Sequence, residues 1–231
     1  MRARIPDLIA CLVAAILLSA APDARAAGPD LARMSGPELT AFTRAMPMGG
    51  ELHIHLGGAI FAESEIRWAV EDGAEALAAE MAAHRVLVEI NPTSNDVILG
   101  VRGRQHPYAW LRARGVPTAL STDDPGILRI DLSHEYARAA EEGASYTDLK
   151  TSARNAIAFS FLAGPPLWDD PGSYRRPGRA CAKGLGHEQP PAGACADLLA
   201  SSDRAREQWR LEYLLKRFET SRGDRQSSAT R

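Results

Sequence analysis

Gly115-Val116-Pro117-Thr118-Ala119-Leu120-Ser121-Thr122-Asp123-Asp124-Pro125 is the stretch on which the reading of this chain turns. Val116 to Leu120 has the length and apolar character of a short buried strand, and a proline after it forbids continuation. Between strand and proline stand two adjacent carboxylates, so the charged end of the strand points toward a site. Asp before Pro also suits a plain helix start, since Asp caps helices and Pro opens them. Glu51-Leu52-His53-Ile54-His55-Leu56 follows the same plan earlier in the chain. Side chains alternate across a strand, which puts His53 and His55 on one face with Cα atoms roughly 7 Å apart. Two neutral imidazoles and a carboxylate are donors of the kind zinc takes.

The elements between these stretches set the fold class. Ser35-Gly-Pro-Glu opens a short helix. Glu63 to Ala83 reads as helix with a break at Asp72-Gly73. Val86 to Ile90 is a continuous apolar run suited to a strand buried on both faces, turned off by Asn91 to Asn95. His106-Pro107 opens a helix through Arg114, and Gly115 closes it before the Val116 strand. This strand–helix–strand order implies a parallel crossover. Helices follow over Leu132 to Gly143 and Tyr146 to Leu162, the second capped by Ser145 or Thr147. From Gly164 to Ala196 the composition shifts to Pro, Gly, Arg and Asp, which reads as a surface excursion or a tail held by a disulfide. A last helix from Ser202 to about Thr220 carries Leu211, Leu214, Leu215 and Phe218 on one stripe, with a loose end beyond it.

Bulk composition restricts the function classes. The chain has 231 residues, 45% apolar and 24% charged, which is the make-up of a globular protein. Arg2 and Arg4, the apolar run Leu8 to Ala21, and Ala24-Arg25-Ala26 carry the three parts of an export signal, with cleavage expected before Ala27. The run is too short for the roughly twenty residues of a membrane span, so no stable span is expected after processing. Cleavage removes three arginines and two aspartates and moves the formal charge from −2 to −3, which offers no basic surface for nucleic acid. Cys181 and Cys195 remain, and in an exported chain they are expected to pair, closing a loop worth about 3 kcal/mol.

The combination of motifs resembles one family. Met46-Pro-Met-Gly-Gly-Glu-Leu-His-Ile-His-Leu-Gly-Gly-Ala is similar to the first strand of the adenosine deaminase family, in particular its secreted, growth-factor-related branch. Val88-Glu-Ile-Asn-Pro-Thr-Ser-Asn, His106-Pro107, Ser121-Thr-Asp-Asp-Pro, Glu135-Tyr136 and Ala153-Arg-Asn resemble its closing strands and helices. The resemblance implies a zinc-dependent (β/α)₈ barrel, of the TIM type, with the site at the C-terminal ends of the strands. It also implies hydrolytic deamination of adenosine or a related purine nucleoside. Carried over position by position, His53, His55 and Asp123 would hold zinc, and Asp124 would hydrogen-bond the purine.

Two departures bear on activity. A His-Ala-Gly-Glu string, which in the family gives another zinc histidine and the glutamate proton donor, does not occur in this sequence, and neither does Gly-His-Gly. The expectation is therefore a truncated α/β barrel with three recognisable strands over residues 27–163, after a signal at 1–26 and before a helical C-terminal extension at 164–231. The missing segment implies an impaired or inactive hydrolase, and the export signal implies a periplasmic or extracellular one. The alternative is a non-catalytic remnant forming a homo-oligomer through open sheet edges. Substitutes for the missing groups are poor: His84 sits at the wrong end of its strand, His134 is on a helix, and His187 is in the irregular segment. Glu63 and Glu65 read as a solvated helix face, and Glu89, Asn95 and His106 as loop-closing or capping residues.

Overall fold

The computed structural model describes residues 28–50, 74–170 and 172–229, with side chains as far as 222. The expected strand Glu51–Leu56, its histidines, the export signal, and Glu63 and Glu65 lie outside the described residues.

Helix α1, Gly36–Ala45, starts as its sequence dictates: the backbone N–H and hydroxyl of Ser35 both reach the Glu38 carboxylate, 2.8 and 2.7 Å away, with Pro37 in the first turn. Helix α2, Ala74–His84, leads to strand β1, Val88–Ile90. The strand is shorter than its apolar run because Val86 stands exposed, outside the pairing. Helix α3, Pro92–Leu99, begins directly after it. Asn91 to Asn95 therefore opens a helix where the sequence suggested a turn: proline is well placed in a first turn, its missing N–H being one that a helix start leaves unbonded anyway.

Helix α4, Tyr108–Ala113, is followed by strand β2, Thr118–Leu120, which is wholly buried. Gly115, at φ +73°, makes the left-handed turn that ends α4. The two strands run parallel, with Val88, Glu89 and Ile90 opposite Thr118, Ala119 and Leu120. Helix α7, Tyr146–Ala158, covers the side of β2 facing away from β1. Leu120 donates its N–H to Ser152 Oγ at 2.8 Å, and Asn155 Nδ2 donates to the Thr118 carbonyl at 2.8 Å. Side chains thus meet backbone groups that a neighbouring strand would otherwise take. The cap of α7 is Ser145, in a box with Asp148. Between β2 and α7 come α5, Pro125–Leu128, and α6, Leu132–Glu141, the latter capped by Asp131.

The main core gathers Phe42, Ile90, Leu111, Leu120, Tyr136, Leu149 and their neighbours around the strand pair. Beyond residue 163 the structure departs from the sequence reading. Leu167, Trp168 and Tyr174 are buried with Cys181, Cys195, Leu199, Ala205 and Trp209 in a second core, so the Pro/Gly-rich segment, though most of its residues are exposed, is anchored by buried side chains of its own. Cys181 and Cys195 are bonded, with Cα atoms 4.9 Å apart. Gly164, at φ +94°, passes so close to Ser202 that a β-carbon would lie 2.5 Å from its hydroxyl.

The terminal helical region is split at Ser202 into α8, Ala194–Ser201, and α9, Asp203–Ala229. Helix α9 serves both cores. Ala205 and Trp209 face the second, while Leu211, Leu215 and Phe218 face the first. Of the expected stripe only Leu214 is left partly exposed. The helix runs on through the stretch expected to be loose.

Candidate functional site

Parallel pairing brings the C-terminal ends of β1 and β2 to one edge, where the Ser121 N–H extends the ladder to the Ile90 carbonyl at 3.0 Å. Past that point the polar residues begin. Asn91, Thr93, Ser94 and Asn95 follow β1, and Ser121, Thr122, Asp123 and Asp124 follow β2, all of them buried. Burying two carboxylates among apolar neighbours is costly unless each finds hydrogen-bonding partners. This is the least ordinary feature of the described fold.

The local geometry explains how the carboxylates are held. Asp123 has a left-handed backbone, φ +61°, which turns the chain sharply between β2 and Pro125. Its Oδ2 accepts the Ser94 hydroxyl at 2.7 Å. Ser94 is placed by Glu135 of α6, a fully buried residue whose Oε2 accepts the Thr93 N–H at 2.9 Å in the first turn of α3. Asp124 occupies the cap position of α5, but its side chain makes no capping hydrogen bond, so helix initiation does not account for its carboxylate.

Behind this edge, Asn95 and His106 fasten the α3–α4 connection. The Asn95 amide lies 2.7 Å from His106 Nε2, and His106 Nδ1 accepts the Tyr108 N–H at 3.2 Å. Burial, with the positive charge of Arg138 beside it, lowers the His106 pKa to about 4. His106 is thus neutral at ordinary pH and acts as a structural clamp.

Of the site residues expected from sequence, the structure places Asp123 and Asp124 together at the strand end, while His53 and His55 lie outside the described residues. His84, His134 and His187 are exposed, away from the buried edge. Among the described residues no three His, Cys, Asp or Glu side chains come together as a metal site. Asp123 fits one donor position, since a ligating carboxylate is usually held in turn by a second group, as Ser94 holds this one. The sequence reading quoted Ser94 and Glu135 within the family strings but gave neither a role at the site. Glu135 could have been found, because helical spacing puts it on the stripe of Leu132, Tyr136 and Ala139.

Residues 66–166, which include this edge, match the family model described as adenosine deaminase. The chain is 32% identical over 151 residues to an adenosine deaminase of Serratia proteamaculans, covering 59% of this chain and 46% of that protein. It is 38% identical over 85 residues to an adenosine deaminase of Shewanella loihica, covering 36% and 26%. An aminodeoxyfutalosine deaminase of Streptomyces coelicolor is 37% identical over 91 residues, covering 38% and 24%. Over residues 66–166 the chain is similar to the adenosine deaminase family. It spans half or less of the length of these curated relatives, and no solved structure matches it significantly. The family match begins after His53 and His55 and ends at the edge of the second core. Within it, the α/β fold with its parallel strand pair agrees with the family resemblance.

Proposed function

We propose that this chain is an adenosine deaminase-like zinc hydrolase by descent, built on a partial (β/α) barrel and impaired or inactive in hydrolytic deamination. The observation that carries the reading is the buried turn Ser121 to Asp124, with Asp123 held by Ser94 at the C-terminal end of β2. His53, His55 and Asp123 would hold the metal, and Asp124 would receive the purine of adenosine or a related nucleoside. Zinc in such a site supplies a polarised water. The residues of this chain would contribute binding and orientation, and the glutamate that passes a proton in the family is missing from the sequence. Losing a general acid alone costs about 10²–10⁴ in rate. The reading includes export, with cleavage before Ala27.

The test is conversion of adenosine to inosine by purified, zinc-loaded protein, followed by absorbance. The expected result is a rate at or near background. Turnover at the rate of the full-length relatives would overturn the proposed impairment. Metal analysis after dialysis tests the ligand set separately: at least a tenth of an equivalent of zinc should remain on a rough stoichiometric scale, and Asp123→Ala should abolish it.

One observation favours a second reading. Val97 and Ile98 of α3 and Ile127 of α5 are large apolar side chains left at least half exposed on the two helices that follow the strands. A non-catalytic remnant that associates with another copy would cover them. Light scattering decides the matter: a stable oligomer supports this reading, and a cooperatively unfolding monomer removes it.

A further inference from the structure

The opposite end of the strand pair holds a cleft of about 240 Å³ that the proposed chemistry does not use. Its lining includes Arg85, Arg112, Asp148, Thr151, Asn155 and Gly172. Most of its polar groups are already engaged. Asp148 is committed to the α7 cap and to an ion pair with Arg112. Thr151 donates to the Thr147 carbonyl, and Asn155 spans the Thr118 carbonyl and the Tyr174 hydroxyl.

Arg85 is different. Its guanidinium lies over the Phe159 ring at 5.4 Å and against Gly172, where a β-carbon would come within 2.7 Å of it. It makes no ion pair among the described residues, and its Nη2 is buried without a hydrogen-bond acceptor. The Nε of Arg112 is buried in the same condition. Two guanidinium groups in one cleft, each with a buried N–H lacking an acceptor, and only one of them offset by a carboxylate, make a site short of one anion.

The backbone makes the same point independently. Arg85 follows the last residue of α2 with φ +55°, and its neighbour Val86 donates back to the Met81 carbonyl at 2.8 Å. This is the left-handed helix end at which glycine is the usual residue. Nothing in the turn calls for arginine there. Its side chain is what the cleft uses.

We propose that this cleft binds a small phosphate group, held by the guanidinium groups of Arg85 and Arg112 on the face opposite the deaminase-type strand ends. Guanidinium forks match tetrahedral oxyanions well, and the Asp148 pair keeps Arg112 in position. The ligand is either free phosphate or a phosphate monoester of a small molecule.

The full-length chain is titrated with inorganic phosphate, and separately with methyl phosphate, by calorimetry and by thermal unfolding at constant ionic strength set with sodium chloride. Saturable heat and a melting temperature that rises with phosphate beyond the chloride control are expected. Tighter binding of the ester identifies a phosphorylated small molecule, and tighter binding of the inorganic ion identifies free phosphate. Arg85→Gly tests the assignment without threatening the fold, because glycine suits this backbone. It should weaken phosphate binding at least tenfold. Equal binding by wild type and Arg85→Gly, or no response beyond chloride in the wild type, would overturn the proposal.

Discussion

The two cores of this protein solve the same problem by different means. The first surrounds the strand pair with large side chains from five helices and can afford a buried polar edge at Ser121 to Asp124. The second has eight buried members, two of them the bonded cysteines, and rests on three large aromatic rings. A small apolar cluster stabilises little on its own, and small units commonly depend on a covalent staple. The family match covers most of the first core and stops at residue 166, where the second begins. The contrast suggests different supports: the matched region has a large packed core, whereas the region beyond it has a small one closed by a cross-link.

The substitution with the largest expected effect is Phe42→Ala. Phe42 packs edge-on against Tyr146 at 5.7 Å and Phe218 at 5.1 Å, joining α1, α7 and α9 in the first core. Removing a buried phenyl ring costs about 3–5 kcal/mol. Urea unfolding should show that loss as a shift of the whole transition. A loss below about 1 kcal/mol would mean that the first core is not held by packing.

Replacing Cys181 and Cys195 by serine comes next. The bond closes a loop with a sequence separation of 14, and the chain-entropy model assigns such a closure about 3 kcal/mol. The effect should be regional: limited proteolysis should begin cutting between residues 181 and 195 while the first core stays protected. If both cores lose protection together, the distinction between them fails.

What could be read in the sequence follows the same division. The capping box at Ser35 and Glu38, the strand Thr118–Leu120 and the carboxylate pair at its end were legible because local order carries them: a cap three residues from its partner, an apolar run, a proline stop. Helix α3 was not, since its apolar residues Val97 and Ile98 face solvent and form no stripe. The second core was hidden by composition. Leu167, Trp168 and Tyr174 are scattered among prolines, glycines and arginines, and their burial depends on Trp209, dozens of residues away. The clamp on Asp123 was hidden by distance in the chain: Ser94 is 29 residues from Asp123, and Glu135 is 42 from Thr93.

Acid should separate the regions in a third way. The folded His106 pKa is lowered from 6.5 to about 4, by burial first and by Arg138 second, while the unfolded chain keeps the ordinary value. Between those two pH values the unfolded state binds the extra proton, so stability falls as pH drops from about 6.5 to 4 and levels off below. The limit of this loss is about 3 kcal/mol at 1.36 kcal/mol per pH unit. His106→Gln should flatten this part of the stability curve, measured by urea unfolding across pH. An unchanged curve would mean that other groups set the acid limb.

The smallest effect is expected at the seam, where α9 docks on α7 through two ion pairs of unlike burial. Arg154 grips Glu212 with two hydrogen bonds, 2.7 and 2.8 Å, while its guanidinium lies over Trp168 and Tyr174 of the second core. Lys150 meets Glu219 at 2.6 Å nearer the surface, where water and salt screen the charges. Exposed pairs are worth about 0–1 kcal/mol, so Lys150→Met should change stability by less than about 1 kcal/mol, and added salt should erase the difference. Glu219 keeps the Tyr146 hydroxyl, 2.9 Å away, as a second partner, which limits the loss further. A cost of several kcal/mol from Lys150→Met would show that the seam is carried by its outer pair. The expected near-neutral result places the docking of α9 on Arg154 and Glu212 together with the apolar stripe of Leu211, Leu215 and Phe218, so that one helix couples the packed core to the cross-linked one.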